Sequence, residues 1–313
     1  MQKSLIAMSG GVDSSLAAKR MVDRGYDCIG CTMKLYHNED VGIDRLHTCC
    51  SLEDVEAARS VAYKLGMPYY VFNFTDAFHD TVIRKFIESY EQGITPNPCI
   101  DCNRYMKFDK LYERAKVLGC EYVVTGHYAR IEEKDGVFFL KKALDETKDQ
   151  SYVLYSMTQQ QLARTLFPLG NMRKTEVRQL AEQSGFVNAH KPDSQDICFV
   201  PNGDYASIIE LQTGKKAAFG NFVDKEGNVL GRHRGVIHYT IGQRRDLASR
   251  ARNRCMFAKF ARKAAKWFSA ATRICCARMQ MLLTSTGSAA QHRKVHFAAR
   301  RKYATVRANS GQP

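Results

Sequence analysis

Residues 5–15 read Leu5-Ile6-Ala7-Met8-Ser9-Gly10-Gly11-Val12-Asp13-Ser14-Ser15. Four apolar residues run into a serine- and glycine-rich turn, and behind it Ala18, Met21 and Val22 share one helical face up to Gly25. Strand, turn and helix in that order open a βαβ unit. The first N–H groups of such a helix and its dipole face whatever fills the turn, so the segment predicts an anion cradle. Gly10 and Gly11 let backbone approach phosphate oxygens, the serine hydroxyls add donors, and Asp13 either holds Mg2+ or fixes the loop. The turn has no lysine and no Gly-Lys-Ser/Thr ending, which excludes the P-loop of ATPases. A pyrophosphate grip with adenylyl transfer then suits it better than γ-phosphoryl transfer.

The same alternation continues outward. Further strands are predicted at "DCIGCTMKLY", "YYVFNF" and "EYVV", the last running into a loop. Helices are predicted from Ser51 to Gly66, along the stripe Val82, Ile83, Phe86, Ile87 and Tyr90, and along Phe108, Leu111, Tyr112, Ala115 and Leu118. The fold class is α/β, a doubly wound, mostly parallel sheet, in residues 1–165. From about residue 166 a short helix near 175–184 gives way to β sequence, with "DKEGN" and "LGRHRG" as hairpin turns, so residues 166–246 read as a small central domain. The chain has 313 residues and a formal charge of +15. Residues 247–313 hold 15 Lys and Arg and no acid, which leaves 47 − 15 = 32 bases against all 32 acids in residues 1–246. The body is neutral, and any affinity for nucleic acid there comes from local patches. No apolar run approaches the roughly 20 residues of a membrane span, and no leader pattern is visible, so a cytoplasmic protein without membrane contact is expected.

Six blocks then narrow the reading. "HTCCSLEDVEAA", "TPNPCIDCNRYMKF", "VVTGHYAR", "KDQSYVLY", "DSQDICFV" and "HYTIGQRR", together with SGGVDSS, resemble in order and spacing the tRNA-specific 2-thiouridylases, a family of PP-loop ATP pyrophosphatases. The resemblance covers residues 1 to about 245. It implies a PP-loop (HUP-like) fold and an ATP-dependent sulfurtransferase that adenylates O2 of the wobble uridine in a tRNA anticodon loop. A persulfide sulfur then gives 2-thiouridine, with release of AMP and pyrophosphate. It assigns ATP, with Mg2+ near Asp13, to Ala7, Met8, Ser9, Gly10, Gly11, Val12, Asp13, Ser14, Met33 and Gly126. It assigns tRNA and the target base to Asn97, Pro98, Cys99, His127, Lys148, Asp149 and Gln150. Cys102 matches the nucleophile and Cys198 the persulfide carrier, with a transient disulfide between them. The partners implied are tRNA and a persulfide donor such as a cysteine desulfurase or a sulfur relay protein. The family continues into a β-barrel. Here the chain turns Ala/Arg-rich after about Arg245, and residues 247–313 read as translated out of frame, the rival being a basic arm for RNA phosphates.

Eleven cysteines in a reducing compartment argue against a disulfide scaffold. Cys99 and Cys102 form a Cys-x-x-Cys pair for which metal binding is the competing explanation, although it supplies only two of four ligands. Many members of the resembled family have Asp where Cys99 stands, and an accessory thiol or sulfur relay is a possible substitute. Cys28 and Cys31 lie three apart on a strand, on opposite faces, and read as core; Cys120 reads as a buried small hydrophobe. Two other functions fit parts of the pattern: a PP-loop tRNA thiolase that uses an iron–sulfur cluster, and an RNA-binding protein without turnover.

Overall fold

The computed structural model describes residues 1–37, 52–193, 197–200, 203–222 and 229–243 in full, and residues 223, 255–261 and 266–271 as backbone. Cys49, Cys50 and Ser51, the "DKEGN" turn, the Ser194-Gln195-Asp196 part of "DSQDICFV" and Arg244 and Arg245 lie outside the described residues.

The opening stretch folds as its pattern dictates. β1 (Lys3–Ala7) is buried at Leu5 and Ile6 and leads through the turn to α1 (Val12–Asp23). β2 (Asp27–Lys34), α2 (Leu52–Lys64) and β3 (Tyr69–Asn73) follow, and β4 (Tyr122–Val124) and β7 (Thr165–Leu166) complete a five-stranded parallel sheet in the order β3-β2-β1-β4-β7. The chain winds outward from β1 to β3 and then resumes on the other side of β1. The carboxyl ends of β1 and β4 therefore flank the point where strand order reverses, which is where open α/β sheets bind ligands.

Each face of the sheet carries its own core. Ile6 and Cys28 pack with α1 and α2 on one face, while Leu5, Ile29 and Cys31 pack on the other with Phe78, Val82, Ile83 and Phe86. Cys28 and Cys31 thus fall on opposite faces, as their odd spacing requires, and Cys120 is buried beside the second group. The two predicted helices on that face are compound. The first comprises α3 (Thr75–Phe78), a π-helical segment His79–Ile83 and α4 (Arg84–Glu91); the second comprises α5 (Pro98–Asp101), a π-helical segment Cys102–Lys110 and α6 (Leu111–Val117).

Several elements differ from the expectation. "EYVVTGHYAR" does not end in a plain loop: β5 (Ala129–Lys134) begins inside it and pairs antiparallel with β6 (Val137–Lys142). The turn between them is Asp135-Gly136, with φ of 52° and 74°, the positive-φ pair that Asp-Gly adopts in tight hairpins. The sheet and its core run on past residue 165. β7 is the fifth strand, α7 (Gln159–Ala163) precedes it, α8 (Lys174–Gln183) packs on α1, and Phe199 and Val200 join the core beneath β1. "LGRHRG" is not all turn, because residues up to His233 form β9 (Val229–His233), antiparallel to β8 (Gly220–Val223). His233 is fully buried with its ring 5.5 Å from that of Phe222, so packing overrides the local glycine signals. The tail, expected to continue nothing, adds β10 (Cys255–Ala261) and β11 (Lys266–Ala271), β11 lying parallel to β8. α9 (Tyr205–Thr213) lies in sequence between β7 and β8, and among the described residues no helix is long and apolar enough to cross a membrane.

Leu5 is fully buried at the centre of the parallel sheet. Leu5→Ala is expected to cost about 2–5 kcal/mol, read as a lower urea midpoint at unchanged m value.

Candidate active site at the carboxyl edge of the sheet

The turn after β1 is built to leave donors open. Gly11 caps α1 without any side-chain hydrogen bond, so the first N–H groups of the helix are free to meet an anion. Gly10 has φ of 74°, and a Cβ there would lie 2.8 Å from Asp54 Cα, so only glycine fits. Gly126, in the loop after β4, closes on the same turn: a Cβ would come within 2.8 Å of Asp13 C and Ser14 N. The serine hydroxyls serve the loop itself. Ser14 Oγ donates to the Gly11 carbonyl at 2.9 Å and accepts from Ser9 N–H at 3.2 Å, and Ser15 Oγ donates to the same carbonyl at 3.1 Å. Backbone N–H groups are therefore the main donors offered to a phosphate. Ala7 ends the strand and Met8 follows it, Val12 is buried under the turn, and Met33 sits near the end of β2 opposite Phe72.

Asp13 is committed to the fold. Lys174 Nζ donates to both of its carboxylate oxygens at 2.7 Å, and Tyr128 OH donates to Oδ1 at 2.8 Å. The same ammonium pairs with Asp193 at 2.8 Å, and Asp193 also meets Lys148 and Arg178 at 2.8 Å each. Burial works against the charge on Asp193, but hydrogen bonds from Lys148 and Lys174 and their positive charges outweigh it and hold its pKa at about 2. Burial, and then the adjoining Asp13 carboxylate, raise the Tyr128 phenol above its ordinary range. A magnesium ion at Asp13 would have to displace Lys174 from both oxygens, so Asp13 fits the loop-fixing role and not that of a metal ligand. The turn's open N–H groups and glycine cradle do fit the phosphates of ATP.

The segment that leads to Cys198 is strapped across this turn. Asn188 Nδ2 donates to the Gly10 carbonyl at 2.8 Å and to Ser15 Oγ at 2.9 Å, Lys191 pairs with Asp54, and Asp193 closes on Lys174. Beyond it, Tyr36 OH, just past the end of β2, donates to the Cys198 carbonyl at 2.6 Å. Phe199 stands edge-on to Phe78 and Phe86 at 5.6 and 5.3 Å.

Cys102 opens the π-helical segment, partly buried, and Cys198 is partly buried against the same core cluster. Consecutive residues of α4 tie the neighbours of both: Lys85 pairs with Asp101 at 2.6 Å and Phe86 packs on Phe199. Burial pushes the Cys102 thiol up to about 11; Lys107 is the main influence in the other direction, while Cys99 and Asp101 reinforce the rise. Asn97 caps α5, accepting from Cys99 N–H at 3.1 Å, with Pro98 at the first helical position. Asn97 and Cys99 are exposed and Pro98 is buried. Cys99 and Cys102 acquire no third ligand among the described residues.

The loop residues divide differently from the expectation. His127 is buried, its Nδ1 2.7 Å from Thr125 Oγ1 and its Nε2 3.4 Å from Lys107 Nζ. Burial, with Lys107 adding to it, holds its pKa well below the usual histidine range, so the ring is neutral. Asp149 accepts from Ala143 N–H at 3.0 Å and Ser151 Oγ at 2.9 Å, and Gln150 Oε1 accepts from Tyr128 N–H at 3.0 Å. These side chains brace the loop. Lys107, Tyr128, Lys174, Asn188, Lys191 and Asp193 were not singled out by the sequence. Lys107, Tyr128 and Asp193 lie inside motif blocks and Lys191 just before one, but Lys174 lies in none, and the partners are up to 178 residues away.

Residues 2–202 match the family model described as the tRNA methyl transferase HUP domain, and residues 209–259 that of the tRNA methyl transferase PRC-barrel domain. The second match continues past Arg245. Among curated proteins, the tRNA-specific 2-thiouridylase MnmA of Clostridioides difficile is 50% identical over 248 residues, 79% of this chain and 68% of that protein. The namesake from Clostridium acetobutylicum is 51% identical over 246 residues, 79% and 69% of the two chains. Among solved structures, a 4-thiouridine synthetase–RNA complex with bound ATP aligns at TM-score 0.41 and 20% identity, covering 64% of this chain and 46% of that one.

Lys174→Met leaves Asp13 and Asp193 without their shared ammonium. The expected loss is about 2–3 kcal/mol, less than the roughly 3–5 of a fully buried pair because both carboxylates are partly wetted. The sign with pH follows from the depressed Asp193 pKa: its stabilisation is complete above the ordinary carboxylate range and lost as pH falls from about 4 to about 2. Urea titrations should therefore give the wild type a steeper acid limb than the variant.

Proposed function

Because the chain belongs to the family of tRNA-specific 2-thiouridylases, we propose that it binds ATP in the turn at residues 9–14 and thiolates the wobble uridine of tRNA at C2. Uridine O2 attacks the α-phosphorus, pyrophosphate leaves, and the open N–H groups of α1 and residues Met33 and Gly126 hold the nucleotide. Cys198 carries the terminal sulfur as a persulfide; that sulfur attacks C2 and AMP departs with O2. The Cys102 thiolate then attacks Cys198 Sγ, forming a disulfide and releasing the 2-thiouridine, and an external thiol reductant returns both cysteines to thiols. Asn97, Pro98 and Cys99 face the target base, which must leave the anticodon stack to reach the sulfur. Lys148 offers a cation to the RNA, while His127, Asp149 and Gln150 act through the shape of the loops they brace. A persulfide donor such as a cysteine desulfurase or relay protein supplies the sulfur, and magnesium enters bound to ATP. A tRNA substrate places the work in the cytoplasm.

The observation that carries this reading is the strap at residues 188–193, which ties the phosphate turn to the approach of Cys198. The high thiol pKa of Cys102 fits a nucleophile kept protonated until substrate arrives, with Lys107 as the cation that stabilises its thiolate. The domain models are described by methyl transfer, but two partly buried thiols packed against one core cluster suit sulfur transfer.

Cys102→Ser and Cys198→Ser should each abolish thiolation, measured by thionucleoside analysis with ATP, a sulfur donor and tRNA, while ATP binding persists. Robust thiolation by either variant removes that cysteine from the mechanism. For the acid-free tail beyond the second domain match we read a shifted frame. Resequencing should reveal it, and an unbroken frame with a peptide from residues 260–313 found by mass spectrometry would refute it.

A further inference from the structure

The 3-10 turn Ser151–Leu154 follows directly on Lys148-Asp149-Gln150. Ser151, Val153, Leu154 and Met157 are buried, whereas Tyr152 and Tyr155 each leave 57% of their surface exposed. A 3-10 helix has three residues per turn, so positions three apart eclipse one another. The two tyrosines therefore project from the same side of the turn while its other side is sunk in the core with Phe108.

The turn packs against both the Pro98–Asp101 helix and the Cys102–Lys110 segment. The turn that carries the exposed pair therefore neighbours the segments holding the residues assigned above to the target base. These elements also carry two cations: Lys148, four residues before Tyr152 and paired with Asp193, and Arg104, exposed and over the Tyr105 ring. Exposed aromatic rings beside cations are how proteins hold unpaired bases, because every base has a π-face and the phosphates between bases need positive charge. The braces described for Asp149 and Gln150 gain a purpose here, since they fix the turn that presents the rings.

We propose that Tyr152 and Tyr155 form a stacking platform for the unpaired RNA bases that flank the target uridine. The proposal rests on the reading that RNA is presented at residues 97–102. It differs from a phosphate contact in a measurable way, because stacking contributes affinity without releasing counterions.

The test is tRNA binding by the full chain at several salt concentrations, with Tyr152→Ala, Tyr155→Ala and the two Phe counterparts. Both side chains are exposed, and thermal melts check that each variant folds. Each alanine variant is expected to weaken binding roughly 5- to 150-fold, and each phenylalanine variant by less than about twofold. The slope of log K against log salt should stay at the wild-type value throughout. A tRNA with 2-aminopurine beside the wobble uridine should be quenched by the wild type and the Phe variants and not by the Ala variants. Alanine variants that bind and quench like the wild type would overturn the platform alone. So would a loss of self-association in those variants with tRNA binding intact, which would assign the pair to a protein contact. A wild-type chain that binds no tRNA would overturn the platform and the function reading together.

Discussion

A buried ammonium between two carboxylates organises this molecule. Lys174 sits at the start of α8, almost wholly out of solvent, and joins Asp13 in the phosphate turn to Asp193 on the strap that leads to Cys198. A lysine so buried is tolerable only because both partners are charged and close. The same contacts bring together the turn after β1, the loop before residue 150 through Lys148, and the approach to Cys198. Elements that lie far apart in sequence are thereby fixed around one edge of the sheet. The parallel topology supplies the rest of the constraint, since it aligns the ends of β1, β2 and β4 on that edge.

The chemistry follows from what this arrangement offers and withholds. The turn provides N–H groups, and its nearby lysine, Lys174, is held by Asp13 and not left free for a γ-phosphate. Such a site suits grip on a pyrophosphate while the α-phosphorus is attacked. Cys102 lies on a π-helical segment, where i→i+5 hydrogen bonding brings residues five apart over one another; in an α-helix they would be about 140° apart. Cys102 and Lys107 are five apart. This winding accounts for the influence of the lysine on an otherwise strongly protonated thiol.

Local patterns made much of this legible. The Ser-Gly-Gly turn between a strand and a helix is a contiguous signal, and so are the buried stripes at Val82–Tyr90 and Phe108–Ala115. Cys28 and Cys31 could be assigned to core because the strand period alone places them on opposite faces. The Lys174 network could not be read that way, because it pairs residues up to 161 positions apart and none of them has a distinctive local spacing. The β5–β6 hairpin was announced by Asp135-Gly136 but masked by the motif around Gly126 and His127. β9 was obscured by its glycine, where the buried His233 against Phe222 outweighs local propensity. Asp149 and Gln150 look like RNA-contacting residues by composition, yet their hydrogen bonds turn inward, and only the fold reveals that.

The central claim is that nucleotide cleavage at the phosphate turn is chemically coupled to sulfur transfer. Its most direct measurement is the nucleotide product formed when the protein turns over ATP with tRNA and a persulfide donor, quantified beside the thionucleoside. AMP and pyrophosphate appearing in step with 2-thiouridine are the predicted result. ADP and inorganic phosphate, or AMP formed with no thiolated tRNA, would contradict it.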